Sequence, residues 1–82
     1  MRVTVLYFAV VGELVGRVEE TLELPPSVRT IDQFASWLPS QRAELGGRMA
    51  SIRIAQNEEF ADGANVVGEG DVLALIPPVA GG

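Results

Sequence analysis

The chain has 82 residues, of which 48% are hydrophobic and 21% are charged, so it is long enough for one small globular domain. It contains no cysteine and no histidine, which argues against a disulfide framework, a thiol nucleophile and a soft metal site. The net charge of −5 argues against nucleic acid and favours a partner with a basic surface. The apolar runs are too short to span a bilayer and the N-terminus shows no leader pattern, so we expect a cytoplasmic protein without a membrane partner.

The N-terminal segment predicts an antiparallel hairpin. Residues 2–9 are rich in β-branched and aromatic side chains and predict a strand that is apolar on both faces. Such a strand is usually central in its sheet, or meets something outside the domain with one face. After a short helical turn or loop, residues 18–24 predict a second strand, with Val18, Leu22 and Leu24 facing inward.

The middle of the chain predicts one main helix. Thr30 and Gln33 have the spacing of a capping box, which marks the N-terminus of a helix. Pro39 is expected to end this helix, and Ser40 to cap a second short one. The apolar stripe of the main helix consists of Ile31, Phe34, Ala35 and Leu38.

Three more strands are predicted after the helix, over residues 49–56, 59–61 and 72–76, with a tight turn at Asn57-Glu58 between the first two. One helix packed across a sheet that contains all the strands is the economical two-layer arrangement. A right-handed crossover through the helix makes the first and last strands parallel and central. The sequence therefore predicts an α+β, ubiquitin-like β-grasp domain over residues 1–78, with a mixed sheet of about five strands and one main helix packed on one face.

The C-terminal residues 79–82 are predicted to form a flexible tail. Pro77 and Pro78 remove backbone donors and end the sheet ladder. The four residues that follow can carry the terminal carboxylate about 13 Å beyond the prolines. Gly81 and Gly82 have no Cβ, so the tip can enter a channel too narrow for other residues.

The sheet face that points away from the helix is also predicted to be apolar. Such a face, when open to water, normally alternates polar and apolar residues. Adjacent apolar residues beside a flexible terminus indicate a docking surface. This predicted surface contains Leu6, Phe8, Val72, Ala74 and Ile76, with Phe60 from the neighbouring hairpin.

Two polar patterns are interpreted as structural. Residues 68–71 (Gly-Glu-Gly-Asp) have glycines at phosphate-loop spacing, but a strand follows them, so no helix N-terminus can hold an anion there. The carboxylates in this half of the chain match no calcium loop and predict a solvated rim rather than a metal site. We expect no metal and no permanently bound cofactor. The carboxylates in question are Glu58, Glu59, Asp62, Glu69 and Asp71.

Several segments together resemble the small subunit of molybdopterin synthase (the MoaD type), a ubiquitin-like sulfur carrier. They are residues 5–9 (Val-Leu-Tyr-Phe-Ala), 13–16 (Glu-Leu-Val-Gly), 54–60 (Ile-Ala-Gln-Asn-Glu-Glu-Phe), 70–71 (Gly-Asp) and the ending 75–82 (Leu-Ile-Pro-Pro-Val-Ala-Gly-Gly). The resemblance covers essentially the whole chain, and the Pro-Pro-Val-x-Gly-Gly ending is its most specific part. Two positions depart from the family pattern: Gly12 stands where an arginine is usual, and Gln56 where an aliphatic residue is common.

The resemblance implies that the chain is not catalytic alone but is the small subunit of a sulfurtransferase. In the family, an adenylating, E1-like activating enzyme uses ATP to adenylate the C-terminal glycine, here Gly82, and sulfur then gives a thiocarboxylate. The tail enters the large subunit, and the sulfur passes to a pterin precursor in molybdenum cofactor biosynthesis. Gly81 permits close approach. The predicted partner-binding residues are Leu6, Phe8, Phe60, Ile76, Pro77, Pro78 and Val79.

Three alternatives remain at the level of sequence. The chain could carry sulfur for another product, such as the thiazole of thiamin or an amino acid, although thiamin carriers lack the proline pair. It could be a ubiquitin-like modifier that is conjugated to proteins through Gly82. It could also be a β-grasp binding module with an inert tail.

Overall fold

The computed structural model describes residues 1–78, and the predicted tail over residues 79–82 lies outside this range. The elements in chain order are β1 (Arg2–Tyr7), α1 (Val10–Val15), β2 (Glu19–Glu23), α2 (Ile31–Gln41), β3 (Arg53–Gln56), β4 (Glu59–Phe60) and β5 (Val72–Ile76). Two 3₁₀ turns, Ala43–Leu45 and Met49–Ser51, connect α2 to β3. The strands form one five-stranded sheet in the order β2-β1-β5-β3-β4, which confirms the predicted β-grasp fold.

The first and last strands lie next to each other in the middle of the sheet. β1 pairs with β5 in parallel, with Val5 opposite Leu73 and Tyr7 opposite Leu75. β2 and β3 flank this pair, and each is antiparallel to its neighbour. Because parallel neighbours need a crossover connection, the chain passes over one face of the sheet between them, where α2 packs.

The hydrophobic core lies between α2 and the sheet face that it covers, called here the inner face. α2 begins with the predicted capping box: the Thr30 hydroxyl accepts from the backbone N–H of Gln33, whose side chain accepts from the backbone N–H of Thr30. Burying each large apolar side chain of this core contributes about 1.5–3 kcal/mol. The side chains with 1% exposure or less include Val3, Val5, Phe34, Leu38, Leu73 and Leu75.

The prediction that Pro39 ends the main helix is wrong, because α2 continues through Pro39 to Gln41. Proline removes one intrahelical hydrogen bond, but the turn that contains it is anchored from both sides. Leu38 is fully buried, and the backbone N–H of Arg42 donates to the Leu38 carbonyl at 2.9 Å. Ser40 therefore lies inside α2 rather than capping a second helix, and the following short helix is the 3₁₀ turn Ala43–Leu45.

The prediction of a strand from residue 49 is also wrong, since β3 begins at Arg53 and the three residues Met49–Ser51 form a 3₁₀ turn. The register explains the late start. Arg53 lies opposite Ile76, so the residues before Arg53 would have to pair with the prolines that follow Ile76. Prolines have no N–H to donate, and the ladder therefore cannot extend in this direction.

Val18 was predicted to face inward, but its side chain is 75% exposed and β2 begins one residue later. Leu22 and Leu24 face the core as predicted, and Glu20, on the same side of this segment, has a side chain that is only 7% exposed. Glu20 accepts hydrogen bonds from the Tyr7 hydroxyl and from the guanidinium of Arg42. A polar cluster thus links β1 and β2 to Arg42, the residue that follows α2.

Candidate functional site

The sheet face opposite α2, called here the outer face, carries a shallow apolar depression of about 240 Å³. The alternation of side chains along each strand sends every second residue to this face. The depression brings together four residues that were predicted to contact a partner: Leu6, Phe8, Phe60 and Ile76. The other lining residues are Ala55, Glu58, Val72 and Ala74.

The depression has a floor of small residues and a rim of large ones. Ala55 and Ala74 lie directly opposite each other on β3 and β5, and each is 7% exposed. Phe8 and Phe60, by contrast, are 46% and 56% exposed. Two aromatic rings that stand in water around an apolar hollow are typical of a surface that a partner covers.

Local backbone geometry holds both aromatic residues in place. The Phe8 N–H donates to the Leu75 carbonyl at 3.1 Å, which extends the β1–β5 ladder by one bond. Phe60 follows a two-residue turn in which Asn57 and Glu58 have φ values of 51° and 74°. Positive φ at both central positions is the geometry that tight β-hairpins require. This turn confirms the one predicted from the sequence.

Arg53 borders the depression, and the sequence analysis did not include it in the site. Its guanidinium carbon lies 3.7 Å from the centre of the Phe60 ring, in cation–π geometry. Arg53 is also directly opposite Ile76 across β3 and β5. Strand alternation places Arg53 on the same face as Ala55, but a pattern of apolar residues gives no signal for a charged neighbour.

The C-terminal segment leaves the sheet at the edge of the depression. Ile76 is both the last residue of β5 and part of the lining. Pro77 is half-buried and Pro78 is exposed. The remaining predicted site residues, Val79, Gly81 and Gly82, lie outside the described residues, so their roles stay predictions.

Asp71 anchors the turn that was interpreted as structural. Its carboxylate accepts from the Gly68 N–H at 2.7 Å, from Gln56 at 2.8 Å and from Asn57 at 3.0 Å. Burial would raise the pKa of Asp71, but these hydrogen bonds outweigh it and lower the pKa. Within residues 1–78 no group of three carboxylates is arranged to hold a metal ion, and no helix is long and apolar enough to cross a bilayer.

Local contacts in the structure bear on both residues that depart from the family pattern, Gly12 and Gln56. A Cβ at Gly12 would lie 2.9 Å from the Tyr7 carbonyl oxygen and 3.3 Å from that of Arg17, so an arginine does not fit here without a backbone shift. Gln56 donates to Asp71 and, at 3.0 Å, to the Val66 carbonyl. An aliphatic side chain at this position could make neither bond.

The fold and the outer face define a ubiquitin-like β-grasp domain with an apolar depression beside its last strand. The ThiS family model matches residues 5–82, and the chain belongs to this family. It is similar to a protein of Chlamydomonas reinhardtii named molybdopterin synthase sulfur carrier subunit, with 34% identity over 84 residues and full coverage of both chains. A protein of the same name from Arabidopsis thaliana is 33% identical over 85 residues, which cover 100% of this chain and 84% of the other.

Solved structures agree on the fold. SAMP1 from Haloferax volcanii superposes with a TM-score of 0.85 at 24% identity, and all of both chains is covered. A chain in the complex of subunits 1 and 2 of the molybdopterin-converting factor from Helicobacter pylori superposes with a TM-score of 0.69 at 23% identity, again over the full length of both chains. At these identities the structures support the β-grasp fold alone.

Proposed function

We propose that this chain is the sulfur-carrier small subunit of a molybdopterin synthase. The observation that carries the proposal is its end-to-end similarity to proteins of that name. The apolar depression beside the C-terminal segment supports it, because a carrier must dock while its terminus reaches into a partner. The chain has no cysteine thiol on which to carry sulfur, which agrees with the role of the C-terminal carboxylate of Gly82 that the family resemblance implies.

The proposed chemistry takes place at that carboxylate. A carboxylate is a poor electrophile, so an adenylating enzyme must first join it to the α-phosphate of ATP and release pyrophosphate. A sulfur nucleophile then attacks the carbonyl carbon and displaces AMP, which leaves a thiocarboxylate with one sulfur in place of one oxygen. The thiocarboxylate sulfur would attack a carbon of the pterin precursor, and water would then hydrolyse the resulting thioester, which leaves the sulfur on the precursor and regenerates the carboxylate. Gly82 is thus a cosubstrate and the chain is not a catalyst by itself.

Docking is proposed to use the outer face. A large catalytic subunit would cover Phe8, Phe60 and Ile76 and take the tail into its active site. The Helicobacter pylori complex, which contains a chain of this fold with a second subunit, supports a partner of this kind. Pro77 and Pro78 restrict the backbone before the tail, so less conformational entropy is lost when the tail is inserted.

The test is to incubate the protein with its cognate activating enzyme, ATP and a sulfur donor, and to measure the mass of its C-terminal peptide. The expected gain equals the difference between one sulfur and one oxygen atom, at Gly82. Deletion of Gly82 should abolish the gain while leaving the fold intact. A larger residue in place of Gly81 should impair activation more than docking, because the docking residues lie on the sheet.

The same experiment separates the alternatives. An isopeptide-linked product in a mixture that contains other proteins would favour a modifier. A thiocarboxylate that the large subunit does not consume would favour a carrier for another pathway. An unmodified terminus in the presence of an active cognate enzyme would leave only a binding module.

A further inference from the structure

Arg53 has an unusual environment among the six arginines of the chain. Arg2, Arg17 and Arg42 form salt bridges with Glu23 or Glu20. Within residues 1–78 Arg53 forms none, like Arg29 and Arg48, but its guanidinium carbon lies over Phe60, 3.7 Å from the ring centre. The N–H donors of a guanidinium lie in its own plane, and contact of its carbon with a ring face does not use them.

A partner that covers Phe60 on the rim of the depression would also meet the guanidinium of Arg53. This group lies over the Phe60 ring, and the backbone of Arg53 is opposite Ile76; Phe60 and Ile76 line the depression, and Arg53 stands beside it. Docking would therefore remove water from a permanent charge. A desolvated cation is costly unless acceptors replace the lost water, and a carboxylate matches the guanidinium with two parallel hydrogen bonds.

Arg53 and Glu58 also place opposite charges at different positions along the depression. Glu58 lines the opposite end, in the turn after β3, roughly 13 Å away along the strand at the usual rise per residue. The backbone of Arg53 is thus at the end from which the C-terminal segment leaves, with its cation over Phe60, and the anion of Glu58 is at the end remote from that segment. A partner with charges in the complementary order would dock in one orientation only.

We propose that Arg53 is a specificity-determining residue that binds a carboxylate of the large-subunit partner beside the point where the C-terminal segment leaves the sheet. The proposal rests on the proposed function, which supplies the partner. The contact with Arg53 requires a negative charge on the partner. The net charge of −5, by contrast, favours a partner whose surface is basic as a whole. The partner should therefore carry an isolated acidic side chain in an otherwise neutral or basic contact area.

The test is a titration of the full-length chain with its cognate large subunit, by calorimetry, at low and high ionic strength. Arg53→Gln removes the charge, Arg53→Met removes it but keeps an apolar stem over Phe60, and Arg53→Lys keeps the charge without the planar donors. Arg29→Gln is the matched control, since Arg29 is also exposed but precedes α2 on the other side of the sheet. Thermal unfolding should be unchanged in all four variants.

At low ionic strength we expect Arg53→Gln and Arg53→Met to raise Kd about five- to twentyfold, as for a charge pair that becomes partly buried at an interface. Arg53→Lys should lose less affinity than these two variants, and Arg29→Gln should bind as the unsubstituted chain does. High salt should reduce the difference in Kd between the Arg53 variants and the unsubstituted chain. Near-normal binding of Arg53→Met would overturn the assignment, because packing on Phe60 would then be the whole role. Equal or tighter binding of Arg53→Gln would overturn it as well, but would leave the proposed function standing. Failure of the unsubstituted chain to bind would overturn both.

Discussion

Glu20 accepts hydrogen bonds from three side chains that come from three different parts of the chain. The Tyr7 hydroxyl donates from β1, the Arg42 Nε donates at 2.7 Å from the end of α2, and the Arg17 Nη1 donates at 3.0 Å from the segment before β2. Burial would raise the pKa of Glu20, but the hydrogen bonds, first from Arg42 and then from Tyr7, lower it. Burial and the bond to Glu20 raise the pKa of Tyr7, which therefore stays a donor.

Replacing Glu20 by Gln should lower the free energy of unfolding by about 1–3 kcal/mol at neutral pH, since Arg42 and Tyr7 lose a charged acceptor. A glutamate with a lowered pKa in the folded state stabilises the fold above its unfolded pKa and loses this contribution as pH falls through the folded pKa. The difference between the two proteins should therefore shrink in acid. Urea unfolding across this pH range measures it. Glu19→Gln is the control, because Glu19 is exposed on the same strand; an equal effect of both would contradict the role given to Glu20.

Ala9 is the residue with the most strained backbone near the docking surface. Its φ of 49° and ψ of −127° fall in a region that suits glycine. Ala9→Gly should relieve backbone strain in the folded state and add conformational entropy to the unfolded chain. Because the relief of strain is the larger contribution, the free energy of unfolding should rise by about 0.5–1 kcal/mol. Chemical denaturation measures the change. Ala64→Gly, at a position without positive φ, should destabilise slightly; a loss of stability in both would show that Ala9 is not strained.

The sequence indicates apolar site residues more readily than charged ones. Leu6, Phe8 and Ile76 follow from strand alternation, and they lie where alternation places them. The roles of Glu20 and Arg53 depend on neighbours that become adjacent only through folding. Arg42 is 22 residues from Glu20, and no local spacing connects them.

At the scale of elements, boundaries follow the sequence where a local signal decides them. β5 has the predicted bounds, because the turn residue Asp71 precedes it and Pro77 follows it. The end of α2 and the start of β3 were mispredicted for the opposite reason. Tertiary anchoring at Leu38 carries α2 past Pro39, and the prolines that follow β5 shorten its neighbour β3.

The outer face of the central strands should act as one binding element. Phe8→Asp should weaken binding of the large subunit by at least about 100-fold, because docking would bury an unpaired carboxylate in place of an anchoring ring. Ile76→Asp and Phe60→Asp should act in the same direction, with a smaller effect for Phe60→Asp because Arg53 is close enough to pair with the new carboxylate. Surface plasmon resonance against the immobilised large subunit measures the effect.

Val66→Asp is the matched control, since Val66 is 72% exposed but does not line the depression. It should bind normally. Circular dichroism should show that each substituted chain is folded. Unfolding of the Phe8, Phe60 and Ile76 variants would mean that the outer face is part of the core, and the assignment of the two faces would be inverted.

At the scale of the whole molecule, the topology separates stability from docking. α2 covers the inner face and buries the large apolar residues there, while the outer face stays open around β1, β5 and β3. Because the last strand is central, the chain leaves the sheet beside the open face rather than at a distant edge. A partner bound to the outer face is therefore close to the C-terminal segment, which is what a carrier of a reactive terminus requires.

The central claim is that this chain delivers sulfur from its terminus to a pterin precursor through a large subunit. Single-turnover transfer tests it most directly: the thiocarboxylated chain is mixed with the cognate large subunit and the pterin precursor, and the C-terminal mass and the dithiolene product are followed together. The predicted result is a return of Gly82 to the carboxylate, with two chains consumed for each dithiolene formed, and neither change when the large subunit is omitted. A thiocarboxylate that persists while both the subunit and the precursor are present would contradict the claim.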